Sequence, residues 1–248
     1  MNDLSGLLKS IHDKFVELTR ERIFLNYKEG DDFYSHVQKV VKLNRKDDWD
    51  IILASEDLIE DTNEAIAHFL QFGLTGLTKL DFIGEKYLRL YGILNAIYLQ
   101  QSAVLNMYKL FNCPNPNSIK LEFDNLEITQ LRHKLGAHSV NYLEKSSSNM
   151  EVFIPIRIQF GKDDISYSNY KSNEVKEVAL SMLINEYMKV TCKTYLLIIK
   201  KFIKTIFKGN AQKQDDMWNT RFLDFEYVLQ DKGSIIQTGD KKIFIRYV

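Results

Sequence analysis

A chain of 248 residues in which 45% of side chains are apolar has enough hydrophobic material for a substantial core, which excludes a disordered polymer. Lysine plus arginine and aspartate plus glutamate number 33 each, so the chain lacks the overall basic field that draws in nucleic acid. Any contact with RNA must therefore be local.

Prolines occur only at positions 114, 116 and 155, which leaves long stretches free to be helical. Leu4, Leu7, Leu8, Ile11, Phe15 and Leu18 recur at helical intervals, and Phe33, Val37, Val40 and Val41 predict a second, short helix. From Asp48 onward, Ile51, Ile52, Leu58, Ile59, Ala65, Ile66, Phe69 and Leu70 make an apolar stripe. Glu56, Asp57, Glu60, Asp61 and Glu64 fall mostly on other faces and read as a solvated acidic surface. After Gly73-Leu74-Thr75-Gly76 comes the most apolar helix, about 79–112, whose narrow polar stripe runs through Asp81, Glu85, Arg89, Asn95 and Gln100. Such a helix requires neighbours on nearly every side. Cys113-Pro114-Asn115-Pro116-Asn117 ends it, and Asp124 or Asn125 can cap the next helix, with Ile128, Leu131 and Leu135 as core positions.

From Met150 the period changes to two. Val152, Ile154, Ile156, Ile158 and Phe160 alternate with other residues, and Gly161-Lys162-Asp163-Asp164 leads to a second strand at Ile165 to Tyr170, giving a hairpin. A long helix is expected from about Asn173 to Phe207, followed by strand-like runs at Phe222 to Leu229 and Lys241 to Val248. The expected architecture is mainly α, a helical bundle (about 1–145 plus 172–208) with a small β-hairpin or β appendage (about 150–170 and 219–248), in a single domain 1–248.

Cys113 and Cys192 lack CxxC spacing and lie beside or within apolar helical segments, as suits buried thiols in a reducing compartment. The first residues carry no basic n-region or apolar h-region, and the run Tyr195 to Ile199 is closed by Lys200 and Lys201, far short of a membrane span. A cytoplasmic protein with no membrane partner is expected. His12, His36 and His68 have no ligand-like neighbours at metal spacing, so neither a metal nor a cofactor is expected.

One segment concentrates reactive side chains: Arg132-His133-Lys134-Leu135-Gly136-Ala137-His138. An arginine offers a permanently charged fork matched to phosphodiester oxygens. A histidine with a pKa of about 6.5 can take or give a proton at cellular pH. RNA supplies its own nucleophile, the 2′-hydroxyl, so a base, a stabiliser of the phosphorane and a proton for the leaving oxygen suffice.

The spacing of Arg132 and His138, the polar His133 directly after the arginine, and the position of all three on a helix following a long helical hairpin resemble the HEPN superfamily. The resemblance covers about residues 50–145, with 173–207 completing the bundle. It implies a helical homodimer in which two copies of the motif face each other across a cleft. In many members it also implies a metal-independent endoribonuclease acting as a toxin or in phage defence, with an RNA substrate and an antitoxin or regulatory protein as partners. Arg132 would then hold the scissile phosphate, His138 would be general base or acid, and His133 would orient them. Where one branch of the family has a tyrosine two residues after the histidine, this chain has Val140, which argues against an antitoxin of the nucleotidyltransferase type.

On a straight α-helix, six residues advance about 600°, leaving Arg132 and His138 roughly 120° apart in azimuth and about 9 Å apart along the axis. Either Gly136 loosens the helix before His138, or the long arginine side chain reaches across, or a partner chain supplies the missing half of the site; a site shared between two chains is the favoured resolution. The competing reading is a non-catalytic helical dimer of the same fold that binds a protein or nucleotide. In that reading Arg132 pairs with Glu127 or Asp124, and His138 merely ends its helix. Lys193, Lys200, Lys201, Lys204 and Lys208 read as a solvated face, and Tyr87, Tyr91, Tyr98 and Tyr108 as core or dimer-interface residues.

Overall fold

A computed structural model describes residues 3–25, 27–77, 81–137, 142–143, 150–238 and 241–247. The chain is mainly helical with a small β portion. Four long helices make the core: α1 (Leu4–Phe24), α3 (Asp48–Phe72), α4 (Ile83–Leu110) and α7 (Leu180–Ile206). They pack in the ring order α1, α3, α4, α7, each touching two others.

Their directions follow from specific pairs. Asn63 Nδ2 donates to Ser5 O (3.1 Å) while Trp49 and Leu53 line a cleft with Val16 and Arg20, so α1 and α3 run antiparallel. Tyr187 Oη donates to Ile97 O (3.1 Å) and Phe202 packs on Phe111 (5.6 Å), so α4 and α7 run parallel. At the centre Phe15 makes edge contacts with Phe111, Tyr195 and Phe202 at 5.4 to 5.9 Å, each such pair contributing about 0.5–1.5 kcal/mol beyond its buried area.

The expected apolar positions of α1 are all buried, as are Ile52, Ile59, Ile66 and Phe69 of α3. The acidic face of α3 is not uniformly solvated: Glu56 is 7% exposed, because it shares the inward face with Ile52 and Ile59. α4 also departs from its expected pattern. Gln100 is fully buried, and Leu88, Tyr91 and Tyr98 stand 73%, 43% and 42% exposed within this chain. Cys113 and Cys192 are buried thiols, and burial pushes Cys113 up to about 12.

Shorter helices surround the ring: α2 (Phe33–Val41), α5 (Pro116–Asp124), α6 (Glu127–Leu131), α8 (Ala211–Arg221) and α9 (Leu223–Leu229). Leu126, not Asp124 or Asn125, precedes α6, and Asp124 pairs with Lys120 instead (2.6 Å). α8 is a mostly polar helix that the apolar pattern did not reveal; Asn210 caps it, accepting from Lys213 N (3.0 Å). The run Phe222 to Leu229, expected as a strand, is mostly α9, since Phe222, Phe225 and Val228 recur every third residue and are buried together.

The expected hairpin is part of a three-stranded antiparallel sheet in the order β3 (Phe153–Pro155), β4 (Asp164–Asn169), β5 (Val175–Ala179), with Ile154 opposite Ser168 and Ile165 opposite Val178. A single-turn helix (Arg157–Gln159) follows β3 where continued strand was expected; Pro155, lacking an N–H, sits on the edge strand. β5 occupies residues assigned to the start of the long helix, which begins at Leu180. There Asp163 accepts from Ser181 N (2.9 Å). Among the described residues two further antiparallel pairs occur: β1 (Tyr142–Leu143) with β2 (Met150–Glu151), and β6 (Gly233–Thr238) with β7 (Lys241–Arg246). No helix among the described residues is long and apolar enough to cross a membrane.

Candidate functional site

The Arg132 segment is held from beneath by three apolar anchors, Ile128, Leu131 and Leu135, all at most 3% exposed. Gln130 Nε2 donates to Asp124 O (2.5 Å), tying the start of α6 to the end of α5. After Leu131 the helix widens: Arg132–Ala137 winds as a π-helix. Single π turns of this kind recur at functional sites. The α-helical count that separated Arg132 from His138 does not apply to this winding. His138 itself lies outside the described residues.

Arg132, His133 and Lys134 are each half-buried. The Arg132 guanidinium lies over the ring of Tyr98 on α4, its Cζ 4.0 Å from the centroid. An exposed contact of this type contributes about 0.5–1 kcal/mol and fixes the plane of the fork. Lys134 Nζ sits 4.9 Å from the Phe153 ring and 5.9 Å from that of Tyr167, fastening the segment's other side to the sheet. The segment is thus clamped between α4 and β3.

Among the described residues no carboxylate lies within ion-pair distance of Arg132: Asp124 is taken by Lys120, and Glu127 makes no bridge to it. The pairing expected for a structural arginine is therefore absent among the described residues. Tyr98, read as core or interface, is the platform that the sequence could not reveal, because its partner lies on a distant segment.

The other candidates fall elsewhere. His36 Nε2 lies 2.7 Å from Ile23 O, His68 packs on Phe72 (4.6 Å), and His12 is buried. Of the basic run, Lys193 bridges Glu122 (3.1 Å) and Lys200 covers Trp218 (4.7 Å), so those two line a cavity of about 460 Å³ with Leu197 and Leu229; Lys204 and Lys208 are exposed. No group of three or more histidine, cysteine or acidic side chains placed to hold a metal occurs among the described residues. No family model, curated protein or solved structure matches the chain.

Proposed function

We propose that this chain is a HEPN-like, metal-independent endoribonuclease that acts as a homodimer, in toxin or phage-defence biology, with Arg132, His133 and His138 as its working residues. The observation that carries the reading is the half-buried Arg132 fork, stacked on Tyr98 and without a carboxylate partner among the described residues. A guanidinium already oriented and not neutralised binds a phosphodiester with little ordering cost.

In the proposed reaction one imidazole takes the proton of the 2′-hydroxyl as its oxygen attacks the adjacent phosphorus. Arg132 stabilises the charge on the non-bridging oxygens of the phosphorane, the bond to the 5′-oxygen breaks, and a second, protonated imidazole gives that oxygen its proton as it leaves. The products are a 2′,3′-cyclic phosphate and a 5′-hydroxyl. His138 is the base or the acid, and His133 holds the pair in line.

The dimer is supported by α4. Leu88, Tyr91, Asn95 and Tyr98 form one exposed stripe, and Tyr98 carries Arg132. A two-fold interface on that stripe covers the apolar side chains and brings two copies of the motif together. The test is cleavage of RNA in EDTA by wild type, Arg132→Ala and His138→Ala, with analysis of product ends. Cleavage that survives chelation, leaves cyclic phosphate and disappears in both variants is expected. A folded, dimeric wild type that cuts none of several RNAs would turn the reading to the non-catalytic binding module.

A further inference from the structure

We propose that the cleft between α1 and α3 binds a linear aliphatic polyamine, through acidic side chains along its two walls and unpartnered polar groups at its base.

The cleft encloses about 550 Å³, a volume suited to a small molecule. Asp13 and Glu17 line it from α1 and Glu56, Asp57 and Glu60 from α3, while Arg20 is the one permanently charged cation in its lining. Glu21, also in the lining, is paired with Arg221 (3.0 Å). In a chain with no net charge this is a concentrated negative field, complementary to a cation.

The second observation is independent of that charge. His12 and Glu56 are 6% and 7% exposed and Thr19 is 2% exposed, and all three line the cleft. Among the described residues His12 Nε2, Glu56 Oε1 and Thr19 Oγ1 have no hydrogen-bond partner, nor does the fully buried Tyr195 Oη, whose ring lies 6.1 Å from that of His12. Buried polar atoms of this kind are rare in folded proteins, and four together call for a ligand or ordered water. Burial lowers the pKa of His12, so its unprotonated nitrogen can accept. A primary ammonium carries three N–H donors, which suit acceptors such as the His12 nitrogen and the Glu56 oxygen, while Thr19 lies two helical turns, about 10 Å, further along α1 and takes a different donor of an extended ligand.

The spacing of the walls favours an extended cation. Asp13 and Glu17 are one helical turn apart, a rise of about 6 Å, and Asp57 and Glu60 repeat a similar step on the antiparallel helix opposite. The four-methylene spacer of a polyamine covers a comparable distance. A compact metal ion needs convergent ligands, and no such group occurs among the described residues. Trp49 and Leu53 add apolar lining for the methylenes, and the indole adds a face for an ammonium.

The site is independent of the ribonuclease reading and is tested without RNA. Spermidine is titrated at low ionic strength into the full chain carrying Trp218→Phe, so that Trp49 fluorescence reports the cleft, with calorimetry in parallel. Saturable binding of one molecule per chain is expected. Glu56→Gln and the rim double variant Asp13→Asn/Asp57→Asn should each weaken it at least tenfold. The rim pair is exposed, so that variant separates lost binding from misfolding. Non-saturable binding, wild-type affinity in both variants, or the same Trp49 response to Mg²⁺ at equal charge would overturn the proposal.

Discussion

The guanidinium of Arg132 and the phenol ring of Tyr98 come from separate helical segments and meet with Cζ over the ring, 4.0 Å from its centroid. The contact sets the plane in which the arginine fork presents its donors. Removing the ring in Tyr98→Ala should lower cleavage about two- to fivefold, the rate equivalent of the roughly 0.5–1 kcal/mol that an exposed contact of this kind contributes. Tyr98→Phe keeps the face and should cleave like wild type. Single-turnover rates on one RNA distinguish the two, and a loss in the phenylalanine variant equal to that in the alanine variant would show that the hydroxyl, not the ring face, matters.

The exposed stripe on α4 makes a separate prediction. Leu88 and Tyr91 are 73% and 43% exposed, so charging them leaves the monomer's core intact. On the proposed dimer, wild type should be dimeric by light scattering and Leu88→Glu/Tyr91→Glu monomeric, with an unchanged circular dichroism spectrum and loss of cleavage because each motif then stands alone. A double variant that stays dimeric would place the interface elsewhere.

Much of the bundle is legible from spacing alone, because Leu4 to Leu18 and Ile52 to Phe69 repeat with the period of the helix that buries them. The short run Phe222 to Leu229 fits either period, and packing of Phe225 against Phe222 and Phe244 decides for a helix over most of it. The π winding at Arg132 depends on tertiary anchoring of Leu131 and Leu135, which no local pattern encodes. Nor does any local pattern join Arg132 to Tyr98. Glu56 was legible in principle: it falls in register with Ile52, Ile59, Asn63 and Ile66, all buried, whereas Asp57 and Glu60 do not. The density of acidic residues around it hid that register.

Burial, with Asp57 adding to it and Arg20 opposing it, raises the Glu56 carboxyl from 4.5 to about 7. Between those values the folded chain holds a proton that the unfolded chain has released, so this group's contribution to stability falls as pH rises through the window. The full loss is about 3 kcal/mol. His12 acts with the opposite sign: its pKa is lowered by burial, so it costs stability as pH falls below 6.5. Comparing wild type with Glu56→Gln cancels the His12 contribution. The variant should gain on wild type by up to about 3 kcal/mol between pH 5 and pH 8 in denaturant titrations. A difference that stays flat across that range would mean that Glu56 is ionised throughout.

The last prediction concerns the joint that sets the sheet against the bundle. Gly73 follows α3 with φ 60° and ψ −154°, a region open to glycine and costly for other residues. A Cβ there would stand 2.3 Å from Lys162 O, the same carbonyl that accepts from Leu74 N (2.7 Å). Arg89 Nε donates to Gly73 O (2.6 Å) and Lys86 Nζ to Phe160 O (2.6 Å), so α4 is tied both to this joint and to the sheet. Gly73→Ala must therefore strain the backbone and push the 162 loop away from α3, at a cost of about 1–3 kcal/mol from the backbone alone. Because the sheet also carries Phe153 and Tyr167, on which Lys134 rests, the displacement should reach the Arg132 segment. The expected result is a lower thermal midpoint together with reduced cleavage at a temperature where the variant is fully folded. Gly84→Ala, at a helical position where an added Cβ meets nothing within 4 Å, is the control and should lower neither. Equal behaviour of the two variants would show that the joint does not couple the sheet to the site.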